Sequence, residues 1–409
     1  MTQEIQKSHS PNSDTPRRII RLVLVGAAVT GLYVYATAGG KSSPQGEFPS
    51  NPMSGRIVFE EKGCIDCHSI DGYGGKIGPD LGREMFFGSF YDLASRLWNH
   101  APQMAIQSET LEKEWLTLTS GELDQLISYL FYLRYLGEPG NVSDGKRLME
   151  TKGCLNCHRV DDEGAPGGVA LDQLQDYASP LFVAQAIWNH GPEMQKKMIE
   201  MGIERPTFDD QDITHISAYL REFSRGRSTK SYYMSPGNPK KGAQLFVTKW
   251  CSHCHAAEKD QPSAGTRLSD IDLHRSVTSI AGTMWNHGNT MWKAMKEEMI
   301  DWPKFQGSEM ADLIAYLYFF DYRSSPGDPG LGKRVFESKS CASCHAPGQP
   351  IAFEPSIHQA TRTDLVRTMW NHVPLMHQLT VTKNIEWPHL TADELRHLYA
   401  YLLHYPVGD

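Results

Sequence analysis

Four stretches of the chain repeat one apolar spacing. In "ELDQLISYLFYL" (122–133), Leu123, Leu126, Ile127 and Leu130 fall at i, i+3, i+4 and i+7, which gathers them on one helix face. "DITHISAYL" (212–220), "EMADLIAYLYFF" (309–320) and "ELRHLYAYLLHY" (394–405) carry the same stripe. Thr119 with Glu122, and Thr391 with Glu394, are capping-box signatures that mark two of these starts. Helical spacing also appears in "FYDLASRLW" (90–98) and "LFVAQAIW" (181–188), and the polar, Gly- or Pro-rich segments between read as loops. One run differs in kind: Leu22–Ala38 carries no charge, and Ile19 and Ile20 extend it across Arg21. Its length is near the ~20 residues a membrane-spanning helix needs. The pattern predicts an all-α protein behind an N-terminal apolar segment.

The helical stripes belong to a fourfold internal repeat. Each copy opens with a glycine, Gly55, Gly145, Gly242 or Gly332, followed four residues on by Phe59, Met149, Phe246 or Phe336. One turn of helix separates the two, so a bare patch of backbone and a bulky side chain face the same partner. Each copy closes on a Tyr-Leu pair, beginning at Tyr129, Tyr219, Tyr316 and Tyr401, with Trp115, Arg205, Trp302 or Trp387 fourteen residues earlier. Short Pro/Gly-rich junctions, "GEPGN", "SPGNP" and "SPGDPG", separate the copies, and successive modules are expected to touch.

All eight cysteines fall in four C-x-x-C-H strings: "CIDCH" (64–68), "CLNCH" (154–158), "CSHCH" (251–255) and "CASCH" (341–345). Their spacings of 90, 97 and 90 residues follow the repeat, and no cysteine is left over. A lone string could be a zinc or redox half-site, but one Cys2His unit supplies only three zinc ligands. Four such strings point to covalent haem c. In each, two thiols add to the haem vinyl groups, Cys64 and Cys67, Cys154 and Cys157, Cys251 and Cys254, or Cys341 and Cys344, and the adjoining His68, His158, His255 or His345 is an axial iron ligand.

Further on, each copy has a second string: "LWNHAPQM", "IWNHGPEM", "MWNHGNTM" and "MWNHVPLM". Its histidine lies 32 residues after the first one in three copies and 27 in the fourth. His100, His190, His287 and His372 are candidate sixth ligands, as are Met104, Met194, Met291 and Met376 four residues later. Where histidine does not bind iron, the tryptophan is expected to pack the haem pocket, while asparagine and histidine bond backbone or propionate.

A Gly-and-Phe helix leading into C-x-x-C-H, a downstream methionine and a closing helix ending in Tyr-Leu resemble a small class I c-type cytochrome, four times over. The resemblance implies that the opening and closing helices cross at the glycine and aromatic positions. It also implies that methionine is the distal ligand. That family's G-P-x-L loop, which supports the proximal histidine, is matched by "GPDL" (78–81), whereas the other copies show "GGVAL", "GTRL" and "FEPSI".

A formal net charge of −8 and scattered Lys and Arg argue against a nucleic-acid partner. Arg17, Arg18 and Arg21 lead the apolar run, and the positive-inside bias then places the modules outside the cytoplasm. Ala36-Thr37-Ala38 resembles a signal-peptide cleavage pattern, so the segment is an anchor or a signal. The expected organisation is a cytoplasmic tail (1–18), a transmembrane anchor or signal segment (19–38), a linker (39–52) and cytochrome c-like domains at 53–139, 140–234, 235–327 and 328–409. The expected function is electron transfer by four covalent haems held at the periplasmic face of the inner membrane, between respiratory or photosynthetic redox partners. It is not expected to be an enzyme, since no module stands out as catalytic. Two alternatives are a haem enzyme with one open coordination site acting on a small molecule, and a fixed cytochrome subunit of a larger membrane complex.

Overall fold

Every opening helix begins where a side chain or proline can satisfy the start. Asn141 caps Val142–Thr151, and Asn238 and Asp328 cap Pro239–Thr248 and Pro329–Ser338, each with proline at the first helical position. The fourth such helix is Pro52–Glu61. These coordinates are a computed structural model that describes residues 48, 52–84, 88–133, 135, 137–173, 180–223, 237–257, 262–271, 273, 275–349 and 351–406. The apolar run at 19–38 and most of the 39–52 linker lie outside the described residues. Among the described residues, no helix is long and apolar enough to cross a membrane.

Each opening helix packs on the closing helix of its own module: Ser120–Tyr132, Asp212–Glu222, Glu309–Tyr318 and Ala392–Leu402, respectively. The crossing is as close as backbones allow. A Cβ on Gly55, Gly145, Gly242 or Gly332 would run into a backbone carbonyl of the closing helix and come within 2.5–2.7 Å of the Cβ of Tyr129, Tyr219, Tyr316 or Tyr401. Phe59, Phe246 and Phe336 then meet the same tyrosine rings at centroid distances of 6.2, 5.4 and 5.6 Å. Both expected capping boxes form, at Thr119/Glu122 and Thr391/Glu394. Two more, Ser89/Asp92 and Thr361/Asp364, use aspartate in the third position and head the helices Phe90–Thr110 and Arg362–Asn371.

The modules associate in pairs through the W-N-H string. Trp98 Nε1 donates to the Pro388 carbonyl, Asn99 Nδ2 donates to the Leu390 carbonyl, and the Leu390 amide donates back to Asn99 Oδ1, at 2.7–2.9 Å. Trp387 Nε1 reaches the Trp98 carbonyl, and the two indoles pack at 4.3 Å. The same bonds run the other way, from Trp370 and Asn371 to Leu116 and Leu118, with Trp115 on Trp370. The first module is thereby joined to the fourth by one patch used twice, as in an isologous dimer. The second joins the third identically, through Trp188 and Asn189 on Pro303 and Phe305, and through Trp285 and Asn286 on Pro206 and Phe208.

The tryptophan, expected from the sequence to pack the haem pocket, is placed by its indole N–H bond against another module. It is buried in a joint between modules, and asparagine bonds backbone there as a two-way amide bridge. Arg205 replaces tryptophan at one corner: its guanidinium lies 3.4 Å over the Trp285 ring and bonds the Trp285 carbonyl, while its Nε has no partner. Burial pushes this guanidinium down to about 10.

The pairing produces two apolar cores, one of the first and fourth modules and one of the second and third. They exchange side chains: Tyr132 and Tyr135 of the first module enter the second core, and Phe319 and Tyr322 of the third enter the first. Tyr318 Oη donates to the Phe131 carbonyl, and the Val277 amide donates to the Tyr135 carbonyl. Residues from Gly46 onward thus form one compact unit, with the strongest contacts between modules distant in sequence as well as between neighbours.

Candidate haem sites

The residue before each C-x-x-C-H turns the chain through a left-handed conformation, at Gly63, Gly153, Trp250 and Ser340, with φ of 74°, 73°, 67° and 62°. A helical turn follows, and the histidine amide bonds the carbonyl of the first cysteine at 2.9 Å in all four copies. All eight thiols are free of disulfides. Burial pushes the first thiol of each pair, Cys64, Cys154, Cys251 and Cys341, up to about 11.

Every first histidine is oriented through Nδ1 by a main-chain carbonyl: His68 by Pro79 (3.1 Å), His158 by Val169 (2.9 Å), His255 by Thr266 (2.8 Å) and His345 by Ile351 (2.9 Å). That bond fixes the tautomer and leaves Nε2 for a metal. A glycine lies against the back of the ring in three copies. A Cβ on Gly78, Gly168 or Gly265 would press on Nδ1 or Cε1 of His68, His158 or His255. In the fourth, Phe353 stacks on His345 at 4.8 Å and 12°. The proline of "GPDL" is thus dispensable because its carbonyl does the orienting. The glycine and leucine positions persist in "GVAL" and "GTRL".

The donor set of two thiols and one imidazole with free Nε2, backed by a cradle no larger side chain could enter, fits covalent haem c. The bound group would supply one-electron redox chemistry. Among the described residues, no three His, Cys, Asp or Glu side chains converge to hold a metal ion directly.

The W-N-H helix forms the opposite wall. It is continuous in Phe90–Thr110 and Val277–Glu297, and divides at the histidine into Pro180–Asn189 with Gly191–Met201, and Arg362–Asn371 with Val373–Thr382. Pro192 and Pro374 occupy the first turn of the continuing helices, while Pro102 is accommodated inside its helix. The far end reaches the second cysteine: Met201 Sδ lies 3.9 Å from Cys157 Sγ, and Lys383 Nζ lies 3.8 Å from Cys344 Sγ. His287 lies 6.3 Å from His255, centroid to centroid. Met104, Met194, Met291 and Met376 are half-buried one turn past the histidines, against the paired cores.

One repeated residue escaped the sequence reading. Lys62, Lys152, Lys249 and Lys339 stand two residues before the first cysteine in every copy. Each bonds the carbonyl of Thr117, Thr207, Lys304 or His389 and pairs with Glu122, Asp212, Glu309 or Glu394 at 2.7–3.1 Å. The constant K-x-C spacing was the available signal. The Thr119 amide, joined by Lys62, holds the Glu122 carboxylate below its ordinary range. A depressed folded-state value contributes stability above the unfolded value, near pH 4.5, that disappears as pH falls through the folded one. Glu122→Gln is therefore expected to lower the urea midpoint at pH 7, with the gap from wild type closing as the pH falls below 4.5 and through the depressed folded-state value. A gap constant with pH would refute the linkage.

Comparison with known proteins agrees with this chemistry. Residues 142–224, the second module, match the Cytochrome c family model. A nitric oxide reductase subunit of Paracoccus denitrificans is 26% identical over 85 residues, which are 21% of this chain and 55% of that protein. The match spans about half the length of that relative. No solved structure matches. The chain therefore contains a cytochrome c domain at residues 142–224, whose C-x-x-C-H string fits haem c.

Proposed function

We propose that the chain is a membrane-anchored tetrahaem cytochrome that passes electrons between redox partners on the periplasmic side. The observation that carries this reading is fourfold recurrence. Although the family model matches one module, all four repeat the C-x-x-C-H turn, the carbonyl-oriented histidine and the W-N-H wall. Cysteines hold the haem covalently, Nε2 of each first histidine binds iron, and the buried joints fix the modules relative to one another. Such rigidity limits rearrangement when an electron arrives, and each differing ring support tunes its own site. The segment at 19–38 would anchor the unit. The likeness to a reductase subunit favours respiratory partners or membership of a redox complex.

The test is a haem count on the full chain purified from membranes with mild detergent. Four covalent haems per polypeptide by alkaline pyridine spectrum, four resolvable one-electron steps in a redox titration, and retention in the membrane fraction after a salt wash are expected. A single covalent haem would reduce the reading to a monohaem protein with three vestigial modules.

A further inference from the structure

We infer that the W-N-H histidines, His100, His190, His287 and His372, are the sixth iron ligands, so that all four haems are bis-histidine. This rests on the four-haem reading above and reverses the order of preference that the class I resemblance gave.

The third module shows the geometry most directly. The His255 and His287 rings are 6.3 Å apart and inclined at 64°. Two metal–imidazole bonds of about 2 Å each, end to end, plus the half-widths of two rings, account for a separation of this size. Two imidazoles on opposite faces of a macrocycle come so near only if both lie on the axis through its centre, because any sideways displacement lengthens the gap.

The other modules contribute the orienting bond. Nδ1 of His100, His190 and His372 is held by the carbonyl four residues earlier, Arg96, Ala186 or Thr368, at 2.7–2.8 Å. The first histidines are held the same way, so both rings of a site have Nδ1 occupied and Nε2 available, as metal-binding imidazoles do. The preceding Trp and Asn are locked in the joint between modules, so the backbone presenting the second histidine is fixed.

The four methionines lie one turn further on, half-buried against the paired cores. Four residues advance a helix by about 6 Å. Where the helix runs unbroken through the histidine, in Phe90–Thr110 and Val277–Glu297, a turn that puts histidine on the iron axis carries the methionine one turn past it.

His287→Ala and Met291→Leu in the full haem-loaded chain separate the two assignments. In wild type, near-infrared magnetic circular dichroism of the oxidised protein is expected to show bis-histidine charge-transfer bands alone. His287→Ala should convert one haem in four to high spin, and added imidazole should restore low spin. Met291→Leu should leave every haem low spin and the potentials within the wild-type range. Histidine/methionine bands in wild type, a high-spin haem in Met291→Leu, or four low-spin haems in His287→Ala without imidazole would overturn the inference. Haem stoichiometry measured on the same samples keeps the parent reading separate: four haems with methionine bands defeat the ligand assignment alone, and fewer than four defeat the tetrahaem reading.

Discussion

Gly242→Ala is expected to lower the stability of the folded chain by about 3 kcal/mol, the upper end of ordinary overpacking. The new methyl group would run into the Asp312 carbonyl and lie 2.7 Å from the Tyr316 Cβ. Neither neighbour is the movable tip of a side chain, so the helices Pro239–Thr248 and Glu309–Tyr318 must separate. Separation draws Phe246 off Tyr316 and opens the core shared by the second and third modules. Gly121→Ala supplies the control, because a Cβ there meets nothing within 4 Å and glycine is costly inside a helix. Urea unfolding followed by far-ultraviolet dichroism should show Gly242→Ala strongly destabilised and Gly121→Ala neutral or slightly stabilised. A Gly242→Ala variant within about 0.5 kcal/mol of wild type, the range of ordinary surface changes, would mean that the crossing yields easily.

The positions of the crossing were legible because they recur in every copy, Gly242 and Phe246 nine and five residues before the first cysteine and Tyr316 at the head of the closing Tyr-Leu pair, and the class I resemblance implied that they meet. Four copies of a local pattern separate required positions from chance ones. Contacts made by main chain were not legible, since a carbonyl is common to all residues. "GVAL" looked like a departure from "GPDL", yet Val169 and Pro79 present the same oxygen to histidine. The partners of Trp and Asn in W-N-H were hidden for another reason. Trp98 meets Pro388 and Trp188 meets Pro303, at separations of 290 and 115 residues. Four near-identical strings facing four near-identical acceptors do not say which copy serves which. Trp115, Arg205, Trp302 and Trp387 stood out in the sequence as a repeated column, but nothing local connected that column to W-N-H in another module.

The joint between modules gives the other large effect. Asn99→Ala removes both bonds that its amide makes to Leu390, a residue 3% exposed, and leaves a buried N–H and a buried carbonyl without partners. Each orphaned group costs about 1–3 kcal/mol, so a loss of about 3 kcal/mol is expected from this one side chain. An asparagine serving only as a polar helix residue would cost a few tenths. The loss should also be regional. Amide exchange is expected to quicken at Leu390 and through the first and fourth modules, while the Phe305 amide, held by Asn189 in the other joint, keeps its protection. Asn371→Ala breaks the reciprocal bridge to Leu118 of the same pair. Because either bridge holds the two modules in register for the other, the double variant should cost less than the sum of the singles, the non-additivity of residues sharing one interface. On the proposed tetrahaem, bis-histidine reading the effect should reach the first haem as well. Asn99 is the covalent neighbour of His100, and a loosened joint frees the helix turn that positions that ring, so Asn99→Ala should broaden the redox step of the first haem. Uniform loss of protection across all four modules, or strict additivity of Asn99→Ala and Asn371→Ala, would show that the joint is not the separate cooperative contact its bonding implies.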